Sequence, residues 1–431
     1  MILNYIWLFF FLAAFLVGLV KLVVLGDLNI FSDMMNAGFE GAKKAFFDIS
    51  LPLVGIMSLW MGLMNIAEKA GAIGFIARLT GPFFSRLFPE VPRNHPAIGH
   101  IIMNFSANVL GLNNAATPLG LKAMESLQEV NPDKERASNA QIMFLVLNTS
   151  SLTVIPVSII AYRAQAGAEN PADIFIPILI ATFFSTLTAL VITGLRQRIN
   201  LLDPVLLGGV AIVTAVVGAM AVGIASLPAD RIGAASGTIG NLIIFLVIIT
   251  FLLAGWYKKL NVFDTFIEGA KSGFDTVLRF APYLIALITA IAIFRASGAM
   301  QFLVDGIAWL YMHTAALFTD RSVDTRFVDA LPTGFVKPLS GGGAQAMMID
   351  LMSEKGPGPD SLAARIACIM QGAADTTFYI AAVYFGSVGI KKTRYAIPYG
   401  LLADLAGIVA AIIVGYYFFG HLADPPWPSA K

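Results

Sequence analysis

Charge is scarce in this sequence: 13% of its 431 residues are Asp, Glu, Lys or Arg, about half the share of a soluble chain. What charge exists nearly cancels, 28 Lys and Arg against 27 Asp and Glu. No basic surface is available to hold nucleic acid, which is excluded as a partner. One cysteine, Cys368, excludes a disulfide framework and a Cys-based zinc or iron–sulfur cage. The four histidines, His95, His100, His313 and His421, are scattered at no metal-ligand spacing, so no metal site is assigned. A Walker sequence is missing, and Gly341-x-Gly343-x-x-Ala346 follows no strand and so fails as a dinucleotide fingerprint. No Ser/His/Asp set is evident. The chain is read as a non-enzyme, with no catalytic residue and no organic cofactor.

Apolar residues are abundant. They make up 57% of the chain, with 32 Phe and 39 Gly and a mean hydropathy of +0.77. Such a composition belongs to a multi-pass helical membrane protein whose main partner is the lipid bilayer. Ile2 to Leu25 is an apolar run of the ~20 residues that a spanning helix needs. It lacks a basic n-region and a cleavage site, so it reads as an uncleaved span. Further spans are predicted near 49–67, 138–165, 172–195, 203–227, 237–256, 277–294, 361–389 and 395–419. The mixed stretches 30–47, 70–89, 259–275 and 299–318 have apolar residues at helical spacing among charges, and are expected to lie in the interface plane. Segments 96–128 and 328–353 each have two apolar arms around a break, Gly111 to Pro118 and Lys337 to Ala344. Arms of roughly 12–14 residues are too short to span and fit re-entrant hairpins.

The chain repeats itself. Glu40-Gly41-Ala42-Lys43-x-x-Phe46 recurs unchanged as Glu268-Gly269-Ala270-Lys271-x-x-Phe274. Ala70-Gly71-Ala72 matches Ser297-Gly298-Ala299, the Asn113 break falls opposite the Gly341 break, and Asn148-Thr149-Ser150 meets Asp375-Thr376-Thr377. Ile176-Pro177 meets Ile397-Pro398. The expected units are 1–200 and 236–431, joined by a linking span in 201–235. That extra span turns the second unit over. The fold class is therefore an all-α polytopic membrane protein of two inverted repeats, each with interfacial helices, a re-entrant hairpin and a broken transmembrane helix. Inverted repeats are the usual build of secondary transporters, with the solute held at the midplane. A cytoplasmic N-terminus puts most Lys and Arg inside, although Lys43 and Lys44 then fall outside.

Polar residues at membrane depth mark the candidate site. An ionisable residue at mid-bilayer costs roughly 2.5–3.5 kcal/mol on insertion scales, so Asp375 is a functional candidate. Thr376 and Thr377 beside it complete an ion-coupling set, for Na⁺ or H⁺. The matching run, Asn148, Thr149 and Ser150, offers solute-binding groups where a helix unwinds. At the hairpin breaks Asn113, Asn114 and Thr117 supply donors and acceptors. Ser340, Gly341 and Gly342 expose backbone N–H groups at a helix start. Gln345 and Gln371 are further lining candidates.

These same segments carry a resemblance. Asn104 through Met124 resembles spore maturation protein A. Pro338 to Ala344, with Asp375-Thr376-Thr377-Phe378-Tyr379 and Ala382 through Arg394, resembles spore maturation protein B. The match runs over nearly the whole chain with 203–235 as the joint, and so is similar to a fusion of the two. That family falls in the "nucleoside recognition" or Gate group, with related segments in ferrous iron transporters and, more distantly, concentrative nucleoside transporters. The resemblance implies one Gate repeat in each unit and solute passage without fixing the solute. The expectation is an inner-membrane secondary transporter of a small polar solute, nucleoside-like or a small carboxylate, coupled to Na⁺ or H⁺. A non-transporting scaffold for envelope or spore maturation is the alternative from another class, but would gain nothing from unwound backbone at mid-bilayer. A divalent-cation permease would need facing acidic or sulfur ligands, of which the sequence offers one Asp. Self-association into a homo-oligomer is compatible with the sequence.

Overall fold

A computed structural model describes residues 2–92, 94–110, 113–150, 156–315 and 324–424. Among these residues regular structure is helical throughout, with no strands. The first half runs α1 (Ile2–Leu25), α2 (Ile30–Lys43), a π-helical stretch (Lys44–Ser50), α3 (Leu51–Lys69), α4 (Ala72–Arg86), α5 (Pro96–Val109), α6 (Asn113–Glu129), α7 (Asn139–Thr149), α8 (Val157–Gln165) and α9 (Phe175–Arg196). After α10 (Pro204–Ala225) the order recurs: α11 (Ala229–Tyr257), α12 (Val262–Ala296), α13 (Ala299–Ala315), a 3₁₀ turn (Arg326–Ala330), α14 (Leu331–Val336), α15 (Gly341–Leu351), α16 (Leu362–Ala373), α17 (Thr377–Ser387) and α18 (Ala396–Phe419). Seven helices are long and apolar enough to cross a membrane, or eight if the bent pair Leu284–Ala296 and Ala299–Thr314 is one span. The protein is an all-α, multi-pass membrane protein.

Two of the expected in-plane helices do not stand apart. Segment 30–47 runs on into the next span as one 40-residue helix, Ile30–Lys69, and 259–275 runs into 277–294 as α12. The first join passes through the π-helical stretch, and Pro52 explains it. Pro52 has no N–H to give the carbonyl of Asp48, and its ring crowds that carbonyl, so the backbone widens just before it. The freed Asp48 carbonyl accepts instead from Gln165 Nε2 at 2.9 Å. In α12, Gly273 is no break but a contact. A Cβ there would stand 2.5 Å from the Ser58 Cα, and one at Gly269 would stand 2.4 Å from the Asn65 Cβ. This is small-xxx-small packing of α12 on α3. Gly41, in the other copy of the duplicated motif, packs on Ala292, where a Cβ would stand 3.0 Å from the Ala292 Cβ. The motif's glutamates each meet a lysine of a different element, Glu268 with Lys69 at 2.5 Å and Glu40 with Lys355 at 2.7 Å. The duplicated motif is a helix-packing device. Only α4 and α13 remain as separate short amphipathic helices.

Long-range bonds fix the direction of each unit. The α3 end meets the α12 start, where Asn65 Nδ2 donates to the Thr265 carbonyl at 2.7 Å, while Gly38, in the first quarter of the continuous Ile30–Lys69 helix, faces Ile293 near the α12 end. At one face of the molecule the loop before α7 pairs with the loop after α17: Lys391 and Lys392 N–H both donate to the Glu135 carbonyl at 2.9 Å. At the opposite face Arg163, late in α8, donates to the Pro359 carbonyl before α16 at 2.5 Å. Arg196 ends α9 over the ring of Tyr395, which precedes α18, and Arg365 stacks on Phe419 at the far end of α18. Each equivalent pair therefore runs antiparallel. The repeats are inverted.

The hairpins obey the same inversion. α5 and α6 return to the Glu135 face: His95 before α5 meets Glu129 at the end of α6 at 3.5 Å, and Gln128 Nε2 donates to the Val388 carbonyl at 3.1 Å. The second hairpin begins and ends at the Arg163 face. Arg326 donates there to the Gly420 carbonyl at 2.8 Å, and Asp350 at the end of α15 pairs with Arg295.

Candidate functional site

The two broken helices meet at their breaks. α7 stops at Thr149, leaving its last carbonyls without helical partners. α16 stops at Ala373, after which Ala374 and Thr376 are extended. The extended N–H of Asp375 donates to the orphan Thr149 carbonyl at 2.7 Å. One unit's unwound strand thus terminates the other unit's half-helix. The tip of the second hairpin joins them, since Phe378 N–H at the start of α17 donates to the Pro338 carbonyl at 3.0 Å. Gly341 lies so close to Thr376 that a Cβ would stand 2.6 Å from its Oγ1. Residues 151–155, with Ser151, lie outside the described residues, as do Gly111 and Leu112.

Charge gathers on the second unit's side of this junction. Asp375 is exposed, with Oδ1 accepting from the Thr376 N–H at 3.3 Å. The buried carboxylate is instead Asp404, in the middle of α18 and 2% exposed. Its Oδ2 accepts from Thr377 Oγ1 at 2.7 Å, while Oδ1 has no hydrogen-bond partner. Lys337, 7% exposed at the end of α14, lines the same crevice as Asp404, together with Pro338, Ala373, Ala374 and Gly407. It lies within electrostatic reach of both Asp404 and Asp375. Asp404 and Lys337 thus join Asp375, the aspartate expected from the sequence, at this junction. Asp404 was legible as an ionisable residue in an apolar span. Lys337 stands at the start of a glycine-rich break, whose composition points to backbone and not to charge.

The first unit's side is neutral. Asn148, 5% exposed, donates from Nδ2 to the Phe144 carbonyl at 2.8 Å and accepts at Oδ1 from Asn108 Nδ2 at 2.9 Å. Asn104 on the preceding turn of α5 donates to the Ala116 carbonyl at 2.8 Å, holding the hairpin closed. Its Nδ2 also meets Tyr384 OH of α17 at 3.4 Å. That hydroxyl sits against Gly120, where a Cβ would clash at 2.1 Å. Asn104, Asn108 and Tyr384 were not singled out from sequence. Their signal was the i, i+4 spacing of Asn104 and Asn108 on one face of α5.

The other candidates divide. Ser150 Oγ donates to the Leu147 carbonyl at 2.9 Å and lies 3.3 Å from Thr186 Oγ1, inside the α7–α9 contact. Ser340 caps α15, its Oγ accepting from the Gly343 N–H at 3.0 Å. Gln371 Nε2 donates to the Gly341 carbonyl at 3.3 Å, and its Oε1 is buried without a partner. Gln345 bonds Tyr162 of α8. Gly342 and Thr117 are exposed, and a Cβ on Gly342 would meet Leu287 of α12 rather than the breaks. Asn113 and Asn114 open α6, but their side chains lie outside the description. The junction thus brings together Thr149, Asp375, Thr376, Thr377, Ser340, Gly341 and Gln371. Thr117 and Gly342 stand off it.

An all-helical membrane protein with inverted units, paired hairpins and paired broken helices is the class that this architecture defines. A family model described as Gate, nucleoside recognition, matches residues 50–166. The chain is 42% identical over 189 residues to spore maturation protein A of Bacillus subtilis, a match covering 44% of this chain and 92% of that protein. It is 39% identical over 175 residues to spore maturation protein B of the same organism, covering 41% of this chain and 92% of that protein. The chain belongs to the spore maturation protein A and B family, in the form of a fusion of the two.

Proposed function

We propose that this chain is an inner-membrane secondary transporter of a small polar solute, driven by Na⁺ or H⁺, and not an enzyme. Its working units are the Gate repeats 1–200 and 236–431, with 201–235 as the joining span. The observation that carries this reading is the 2.7 Å bond from Asp375 N–H to the Thr149 carbonyl. Unwound backbone at membrane depth is tolerated where it lines a cavity, and the buried, unpartnered Gln371 Oε1 beside this bond is a group left for a polar cargo. Thr149, Ser340, Gly341 and Gln371 supply the solute-facing groups, supported by Asn148. Asp375, with Thr376 and Thr377, carries the coupling charge. The solute is a nucleoside-like molecule or a small carboxylate.

Thermal stabilisation of the purified protein across nucleosides, carboxylates, amino acids and metal ions tests this. One class of small polar metabolite is expected to raise the melting temperature, and the same compound is expected to enter proteoliposomes under an ion gradient. Stabilisation by none of them, with no uptake, overturns the transport reading.

A further inference from the structure

The charges around the second break do not pair as a simple inventory suggests. Asp404 and Lys337 are both buried, at 2% and 7% exposed, and both line one crevice. Asp404 Oδ2 is held by Thr377, but Oδ1 is buried with no hydrogen bond. Lys337 forms no ion pair within 4 Å among the described residues. A lone buried carboxylate and a lone buried ammonium are each expensive to take out of water. Placed in the same low-dielectric crevice, they compensate one another well beyond contact distance. The groups facing Asp404 from the packed elements are few. Lys337 comes from the hairpin and Asp375 from the break, while α9 contributes the Ser185 hydroxyl, already donated to the Ala403 carbonyl at 2.9 Å.

We propose that the Lys337 ammonium is a tethered counter-cation for Asp404, compensating from across the crevice a carboxylate that would otherwise bind a monovalent metal ion. Counting Asp375 at the adjoining break, two carboxylates and one ammonium leave one net negative charge. Lys337 cancels the charge of Asp404, and Asp375 is left as the exchangeable one. Resting on the transport reading, this gives the coupling one charge per cycle rather than two. The unpartnered Asp404 Oδ1 and the Thr377 hydroxyl are oxygen donors of the kind that hold small hard cations, so removing the lysine opens a latent ion site.

The test uses the purified full-length chain and needs no solute. Melting temperatures are measured in NaCl, KCl or LiCl against choline chloride at equal ionic strength. Lys337→Met is expected to gain a metal-dependent rise of about 2 °C beyond that of the unmodified protein. Lys337→Met/Asp404→Asn, which removes both charges, is expected to lose that gain. A Lys337→Met protein whose response matches the unmodified chain in all three salts overturns the proposal. Should Lys337→Met not fold, the double variant decides. Recovery of folded protein on removing Asp404 as well supports the pair, and a double variant as defective as the single one contradicts it. Failure of solute uptake by the unmodified chain strikes the transport reading and leaves this result standing.

Discussion

The two breaks at the centre of the molecule share a backbone plan and differ in chemistry. On the first unit's side α7 ends in Asn148 and Thr149, backed by Asn104 and Asn108 in a chain of amide hydrogen bonds. On the second unit's side α16 and α17 part around Asp375, with Asp404 and Lys337 close behind. Duplication therefore supplied a geometry, two half-helices end to end, and the halves then diverged in what they present. The amide side offers directional bonds at little electrostatic cost. The charged side offers a field, at the expense of burying Asp404 and Lys337. A site needing both recognition and ion coupling gains from keeping these tasks on separate halves.

The comparison depends on the units being locked together, and the largest expected effect comes from breaking that lock. Arg163 is fully buried and reaches Asp173 at 2.9 Å and Asp360 at 3.0 Å, and Arg365 bonds Asp173 at 2.9 Å from the second unit. Arg163→Met leaves a buried carboxylate short of its partner and is expected to destabilise by about 3–5 kcal/mol, read as a lowered unfolding midpoint in detergent. Next comes the amide side. Asn148→Ala removes the acceptor for Asn108, and solute affinity, measured by titration, is expected to fall by roughly 1–3 kcal/mol. If Asn148→Ala left affinity intact, the neutral half would have no share in recognition. Smallest is the surface pair Lys391–Glu135, at 2.6 Å with both side chains mostly exposed. Glu135→Ala is expected to change stability by about 1 kcal/mol or less, because the backbone bonds to the Glu135 carbonyl survive the substitution. Without any energetic cost, cysteines at positions 43 and 271 are expected to label from opposite sides of the membrane. Labelling from one side would contradict the inversion.

Much of this architecture was legible because duplication writes itself twice. The Asn113 and Gly341 breaks, the Asn148 and Asp375 runs and the Ile-Pro pairs each fall in matching elements. What the sequence obscured has a common cause. Asp404 stands alone in an apolar span, and the Ile-Pro register matches it to Phe183, so the repeat offers no echo to draw attention to it. Lys337 sits beside Pro338 and three glycines, a stretch whose composition speaks of backbone rather than charge. The merging of 30–47 with its span was hidden because amphipathic periodicity says where a helix is, not whether it stops. Stopping depends on what receives the freed carbonyl before Pro52, and that group is Gln165, more than a hundred residues away.

The claim that one unit carries the charge for both is tested most directly by ion-driven uptake into proteoliposomes containing Asp375→Asn, beside the unmodified chain. The substitution keeps the side-chain volume and the Asp375 N–H bond to Thr149. Folding and membrane insertion are expected to be unchanged, while accumulation against a gradient is lost. Accumulation at the unmodified rate would remove Asp375 from the mechanism and leave its polar run as helix packing.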